Sequence, residues 1–113
     1  MSRHWRKALL DCGADVTTAA EVLTSSSMRI VLVVDKENRL LGTITDGDIL
    51  RALMAGSAMS SLATSVMQKN PIAVNQGDSR RKALQIMREK DLLHLPVLDA
   101  KGVVVGLETV RDL

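Results

Sequence analysis

Two residue pairs in this chain have the types and spacing to grip a nucleoside phosphate: Thr45 with Asp48, and Thr109 with Asp112. In each, the threonine stands where a strand pattern gives way to a helix pattern. At a helix start, free backbone N–H groups and the positive end of the dipole favour phosphate. A threonine hydroxyl there can hydrogen-bond a phosphate oxygen, and an aspartate one turn along can accept from both hydroxyls of a ribose. The same residues fit a second description. Thr at the N-cap with a carboxylate at N3 is close to a capping box, which stabilises a helix start by about 1 kcal/mol without any ligand. On the pairs alone, both descriptions stand.

What tilts the balance is repetition. At an offset of 64 residues the chain aligns with itself without a gap. Gly42-Thr43-Ile44-Thr45-Asp46-Gly47-Asp48 falls on Gly106-Leu107-Glu108-Thr109-Val110-Arg111-Asp112, so the preceding glycine is kept along with the pair. Ile30 to Asp35 falls on His94 to Asp99, while Gly13 and Ala19 fall on Gly77 and Ala83. Duplication at this scale predicts two half-domains about a pseudo-twofold axis, and a site in one copy implies a twin in the other.

The elements that must position these residues follow the same order in each copy: a short strand, a helix, two strands and a second helix. In the first copy Thr17 or Thr18 caps a helix running to about Ser25. Ile30 to Val34 is a strand, Asp35 to Asn38 a turn, and Leu40 to Thr45 the returning strand. Asp46 to Ala55 is the closing helix, with Ile49, Leu50, Leu53 and Met54 as its inner face and Gly56 ending it. In the second copy Pro71 to Val74 is extended, and Asp78 or Ser79 caps a helix over Arg80 to Glu89. Leu95 to Leu98 and Val103 to Val105 are strands around the turn Asp99 to Gly102. Residues 57–70 read as a packed connector with a short helix. The resulting division is a first repeat at 1–56, the connector at 57–70, and a second repeat at 71–113 that stops where its last helix should begin. By that logic the chain is expected to be part of a longer protein.

Composition narrows the function. The 113 residues suit one compact domain, and 46% are apolar, yet Trp5 is the only aromatic. Without aromatic platforms, single-stranded nucleic acid is a poor fit. The formal net charge is +2, too small to mark a polyanion partner. A lone Cys12 indicates no oxidising compartment, and no apolar run is long enough for a bilayer or a signal segment, so a cytoplasmic location is expected. His4, His94 and Cys12 have no metal-ligand spacing, and no phosphate loop of the Walker or dinucleotide kind is present. Ser25-Ser26-Ser27 has no nearby histidine to activate it. No catalytic residues, no metal site and no intrinsic cofactor are expected.

The stretch Val31 to Asp48, with Leu95 to Gly106 and the connector's Val66 to Val74, resembles a tandem pair of cystathionine-β-synthase (CBS) domains. The resemblance covers nearly the whole chain. It implies an α+β fold of two βαββα repeats about a pseudo-twofold axis. It also implies a regulatory module that binds AMP, ADP, ATP or S-adenosylmethionine in clefts between the repeats. Carried over by residue, Asp48 and Asp112 match the ribose-binding aspartates, and Thr45 and Thr109 the phosphate-facing hydroxyls. Leu10, Ile30, Val31, Ile72, Ala73, Leu95 and Pro96 match the adenine pocket. Arg111 and His94 add phosphate contacts at the second site, which is therefore the favoured one, although Glu108 stands there in place of the apolar Ile44. Residues Met1 to Lys7 and Thr45 to Arg51 are also similar to the N-terminal region of bacterial sugar-phosphate nucleotidyltransferases. That likeness implies a catalytic domain after Leu113, and a homodimer is expected. The alternative is a ligand-free structural module whose caps are only caps, dimerising through the apolar faces of its second helices.

Overall fold

The computed structural model describes residues 3–110. A 3-10 turn, Trp5–Ala8, leads into β1 (Leu9–Asp11), α1 (Val16–Ser26), β2 (Val31–Val34), β3 (Leu40–Ile44) and α2 (Asp46–Met54). A second 3-10 turn, Ala63–Ser65, and β4 (Gln68–Lys69) precede β5 (Val74–Asn75), α3 (Arg80–Glu89), β6 (His94–Leu98) and β7 (Val104–Thr109). The strands form two sheets, β1-β2-β3-β4 and β5-β6-β7. In each, the short first strand pairs parallel with the second, which pairs antiparallel with the third. This is the expected α+β pair of repeats.

Both faces of β2 are buried. Val31 and Val33 enter a core with Val16 and Ala19 of α1, whereas Leu32 and Val34 enter one with Val104 and Leu107 of the other repeat. A strand covered on both sides reads as an unbroken aliphatic run rather than an alternation, which is what Val31-Leu32-Val33-Val34 is. The second core joins the halves, and their meeting line carries the symmetry visibly. Arg39 and Val103, equivalent by the 64-residue offset, form an antiparallel bridge. The Leu40 N–H donates to the Gly102 carbonyl at 3.0 Å, and the Val104 N–H to the Asn38 carbonyl at 3.0 Å. Each bond is the image of the other. The turn residues Asn38 and Gly102 share a left-handed backbone, with φ of 62° and 85°, which asparagine and glycine tolerate best.

Three local expectations are corrected. Helix α1 is capped by Asp15, whose carboxylate accepts from the Thr18 N–H at 2.9 Å and its hydroxyl at 2.8 Å; Thr17 and Thr18 lie inside the helix. Asp competes well at this position because its side chain accepts from an unpaired first-turn N–H. The extended segment expected at Pro71 to Val74 enters the sheet only at Val74 and Asn75. Helix α2 buries Ile49 alone of its four expected inner residues: Leu50 is 60% and Met54 79% exposed, and Leu53 is also exposed. The helix touches the core along one row, and its apolar flank faces outward.

Within the connector, Ala63 is buried, and Met59, Val66 and Met67 pack against the first core. The segment is tied down by backbone bonds from Val16 to Ser61, Thr17 to Met59 and Ala63 to Ala14. Its strand β4 then adds to the first sheet, with Lys69 opposite Gly42 and Gln68 opposite Thr43.

Acid should unfold the protein through its turn and cap carboxylates. Asp15, Asp35 and Asp78 sit below the ordinary carboxylate value, held first by backbone N–H donors from Thr18, Arg39 and Asn75. Groups depressed in the folded state contribute stability above their unfolded values, near 3.8, and lose it as pH falls through the folded ones. The expected result is a melting temperature flat from neutral to about pH 5 that falls steeply below about pH 4; circular dichroism melts across that range check it.

Candidate functional site

An open cleft of about 600 Å³ lies between the repeats. From the first copy it takes Ile30, Thr45 and Asp48, and from the second Ile72, His94 and Pro96. Thr45 and Asp48 are there because β3 ends at Ile44 and α2 starts at Asp46, with Thr45 at the N-cap. Ile72 arrives on the extended segment after β4, and His94 opens β6.

The Asp48 carboxylate is almost fully enclosed, its side chain 3% exposed. One oxygen accepts from the Thr45 N–H at 2.9 Å and from the Thr45 hydroxyl at 3.1 Å. The other accepts from the Arg51 guanidinium at 2.6 Å and the Gln68 amide at 3.0 Å. Burial by itself pushes this carboxyl up. The donors from Gln68, the Thr45 backbone, Arg51 and the Thr45 hydroxyl together outweigh it and hold the group below the usual range. Asp48 therefore stays ionised at neutral pH, capping α2 while lining the cleft. The two descriptions of the pair are compatible: the inner oxygen serves the helix, and the outer one faces side chains that can move. Arg51 is 69% exposed, so exchanging its bond for one to a ligand hydroxyl costs little structural order.

The cleft lining carries charges of both signs. Arg29, Arg51 and Lys69 all line the cleft, as do Asp46 and Asp91. Sequence reasoning missed the three cations, which lie at separate points in the chain and converge only through the fold. Arg51 alone left a readable signal, being one helical turn past Asp48 on the same face.

The expected adenine-pocket residues divide. Ile30, Ile72 and Pro96 line the cleft. Leu10, Val31 and Leu95 are core residues, at 5%, 0% and 0% exposure, and Ala73 is half-buried without lining it. His94, assigned by sequence to the second site, lies in the cleft of Thr45 and Asp48. Thr109 ends β7 opposite His94, and Arg111 and Asp112 lie outside the described residues. Glu108 is buried at 6% and turns from this cleft toward the N-terminal end of α3, with an oxygen 3.9 Å from Arg80. There it lines a smaller cavity of about 270 Å³. Among the described residues no cluster of histidine, cysteine and carboxylate side chains could hold a metal ion, and no helix is long and apolar enough to cross a membrane.

Two tandem repeats of this topology, with an open cleft between them, define a paired-repeat module. The family model described as "CBS domain" matches residues 8–55 and again 63–113, and this chain belongs to the CBS-domain family. Its fold is similar to the CBS domain protein PAE2072 from Pyrobaculum aerophilum, solved in complex with AMP. The TM-score is 0.83 at 24% identity, covering 94% of this chain and 82% of that one. It is also similar to the cytosolic domain of the Mg2+ channel MgtE, solved with ATP, at TM-score 0.79 and 22% identity over 93% of this chain and 42% of that one. Among curated proteins, arabinose 5-phosphate isomerase KdsD of Francisella tularensis is 37% identical over 82 residues, covering 72% of this chain and 25% of the isomerase. Across eight curated relatives the chain spans 20% to 59% of their own length.

Proposed function

We propose that the cleft between the repeats binds an adenine nucleotide and that the chain is the sensing part of a larger enzyme. The observation that carries this is convergence. A helix N-terminus, the Thr45–Asp48 pair and three cations from different elements face one cleft whose other wall is apolar. That arrangement suits a phosphate, a ribose and a base in turn. The AMP and ATP complexes of the two structural neighbours agree with it. Thr45 and Asp48 would meet phosphate and ribose, and Ile30, Ile72 and Pro96 the base. Thr109, Arg111 and Asp112 are the corresponding set of the second copy. The attached catalytic domain would act on a sugar phosphate. The resemblance of residues 1–7 and 45–51 favours nucleotidyl transfer, and the isomerase relative favours isomerisation of the same substrate class. Binding would alter that domain only by favouring one arrangement of the module over another.

A ligand at 100 times its Kd stabilises the folded state by about 2.7 kcal/mol. Thermal melts with AMP, ADP and ATP should each show that shift, while S-adenosylmethionine, lacking phosphate for Arg29, Arg51 and Lys69, should show a smaller one. No shift with any of the four would remove the sensing role. A structural reading would then lead, because Leu50, Leu53 and Met54 on α2 form an exposed apolar flank of the kind a second copy covers in a twofold dimer.

A further inference from the structure

The pseudo-twofold operation that relates the repeats sends the nucleotide cleft onto a twin on the opposite side, and there the two differ sharply. By the 64-residue offset, cleft residues Thr43, Ile72 and Pro96 have Leu107, Ala8 and Leu32 as images. All three images are buried, and they belong to one apolar cluster whose remaining members include Trp5. Trp5 is the image of Lys69, which lines the open cleft, yet it is only 8% exposed. The open side mixes charged, polar and apolar lining; the images on the twin side are aliphatic and cluster with an indole. Arg6 stacks over that indole, its guanidinium carbon 4.5 Å from the ring centroid, closing the solvent side by a cation–π contact.

We infer that the Trp5 indole occupies the base position of the twin cleft, a built-in substitute for a ligand. The module therefore takes one adenine nucleotide per chain, at the Asp48 side. A flat apolar ring of this size fills the space a purine would need, and it packs in one cluster with Ala8 and Leu32, the images of the base-facing Ile72 and Pro96. This rests on the nucleotide reading for its ligand but not for the plug, which rests on the burial of Trp5 among Ala8, Leu32 and Leu107.

Because Trp5 is the sole aromatic, its fluorescence reports the plug directly. The wild-type emission should be blue-shifted relative to free tryptophan, poorly quenched by acrylamide, and unchanged by saturating AMP. Emission like that of free tryptophan overturns the plug, whatever binds elsewhere. Titration calorimetry with AMP should give one equivalent per chain; two equivalents in the wild type overturn the inference. Trp5→Gly should gain a second equivalent if circular dichroism shows it folded, and a folded variant still taking one denies that the indole is what closes the twin. Should the wild type bind no AMP at all, the nucleotide reading fails, and the plug stands or falls on the fluorescence alone.

Discussion

Asp48→Ala lowers AMP affinity at least about 100-fold and destabilises the unliganded protein by about 1–3 kcal/mol. The two effects have different origins. Losing the acceptor of the Thr45 N–H removes the start of α2, which is a folding loss. Losing the outer oxygen, now held by Arg51 and Gln68, removes the group that a ribose would bond. Charge-assisted hydrogen bonds contribute about 1.5–3 kcal/mol each, so two of them to a ribose account for the affinity change. Arg51→Ala separates the effects. It leaves both Thr45 bonds in place, and as an exposed cation its removal should cost under about 1 kcal/mol of stability. It should still weaken AMP binding, because phosphate loses a partner. Calorimetry and urea unfolding on the two variants check this. If Asp48→Ala costs stability and leaves affinity untouched, the carboxylate is a cap and nothing more.

Gly42→Val destabilises the fold by about 3 kcal/mol or more, the upper end of overpacking costs. A Cβ at Gly42 would lie 2.5 Å from the Met67 sulfur and 2.7 Å from the Gln68 carbonyl oxygen. The sulfur sits on a flexible side chain and can yield. The carbonyl belongs to β4, hydrogen-bonded across the same strand pair, and cannot yield without parting β4 from β3. Parting them would also withdraw Gln68 from Asp48 and Lys69 from the cleft, so nucleotide affinity should fall along with stability. Met67→Ala in the Gly42→Val background should recover only part of the loss, since it relieves one contact of the two. Full recovery would show that the backbone approach does not matter.

This glycine marks how far the sequence could be read. Its presence in both copies was visible, but its cause lies in a strand 26 residues later in the chain, where Gln68 crosses it. The helices, both long hairpins and the repeat were legible because hydrophobic periodicity and turn chemistry are local. So was the α+β pair of repeats that the fold displays. The cap at Asp15 was misread because three neighbouring residues could all serve. The exposed flank of α2 was misread because periodicity shows that a helix has an apolar face without showing what covers it. The cleft itself was half legible. Thr45 and Asp48 carry a local signature, whereas Arg29 and Lys69 join the cleft only through the first sheet and His94 only across the two repeats. Trp5, read only as the lone aromatic, has its place in the second core, which joins residues far apart in the chain.

The bridge at Arg39 and Val103 gives this architecture a self-complementary seam. Residues 38 to 40 meet their own images at 102 to 104 through reciprocal hydrogen bonds. That self-matching surface is what an identical pair of separate polypeptides would need in order to associate. The molecule is built like a homodimer whose subunits have been joined end to end. Within one polypeptide the halves need not be identical, and Lys69 stands in one where Trp5 stands at the equivalent position of the other.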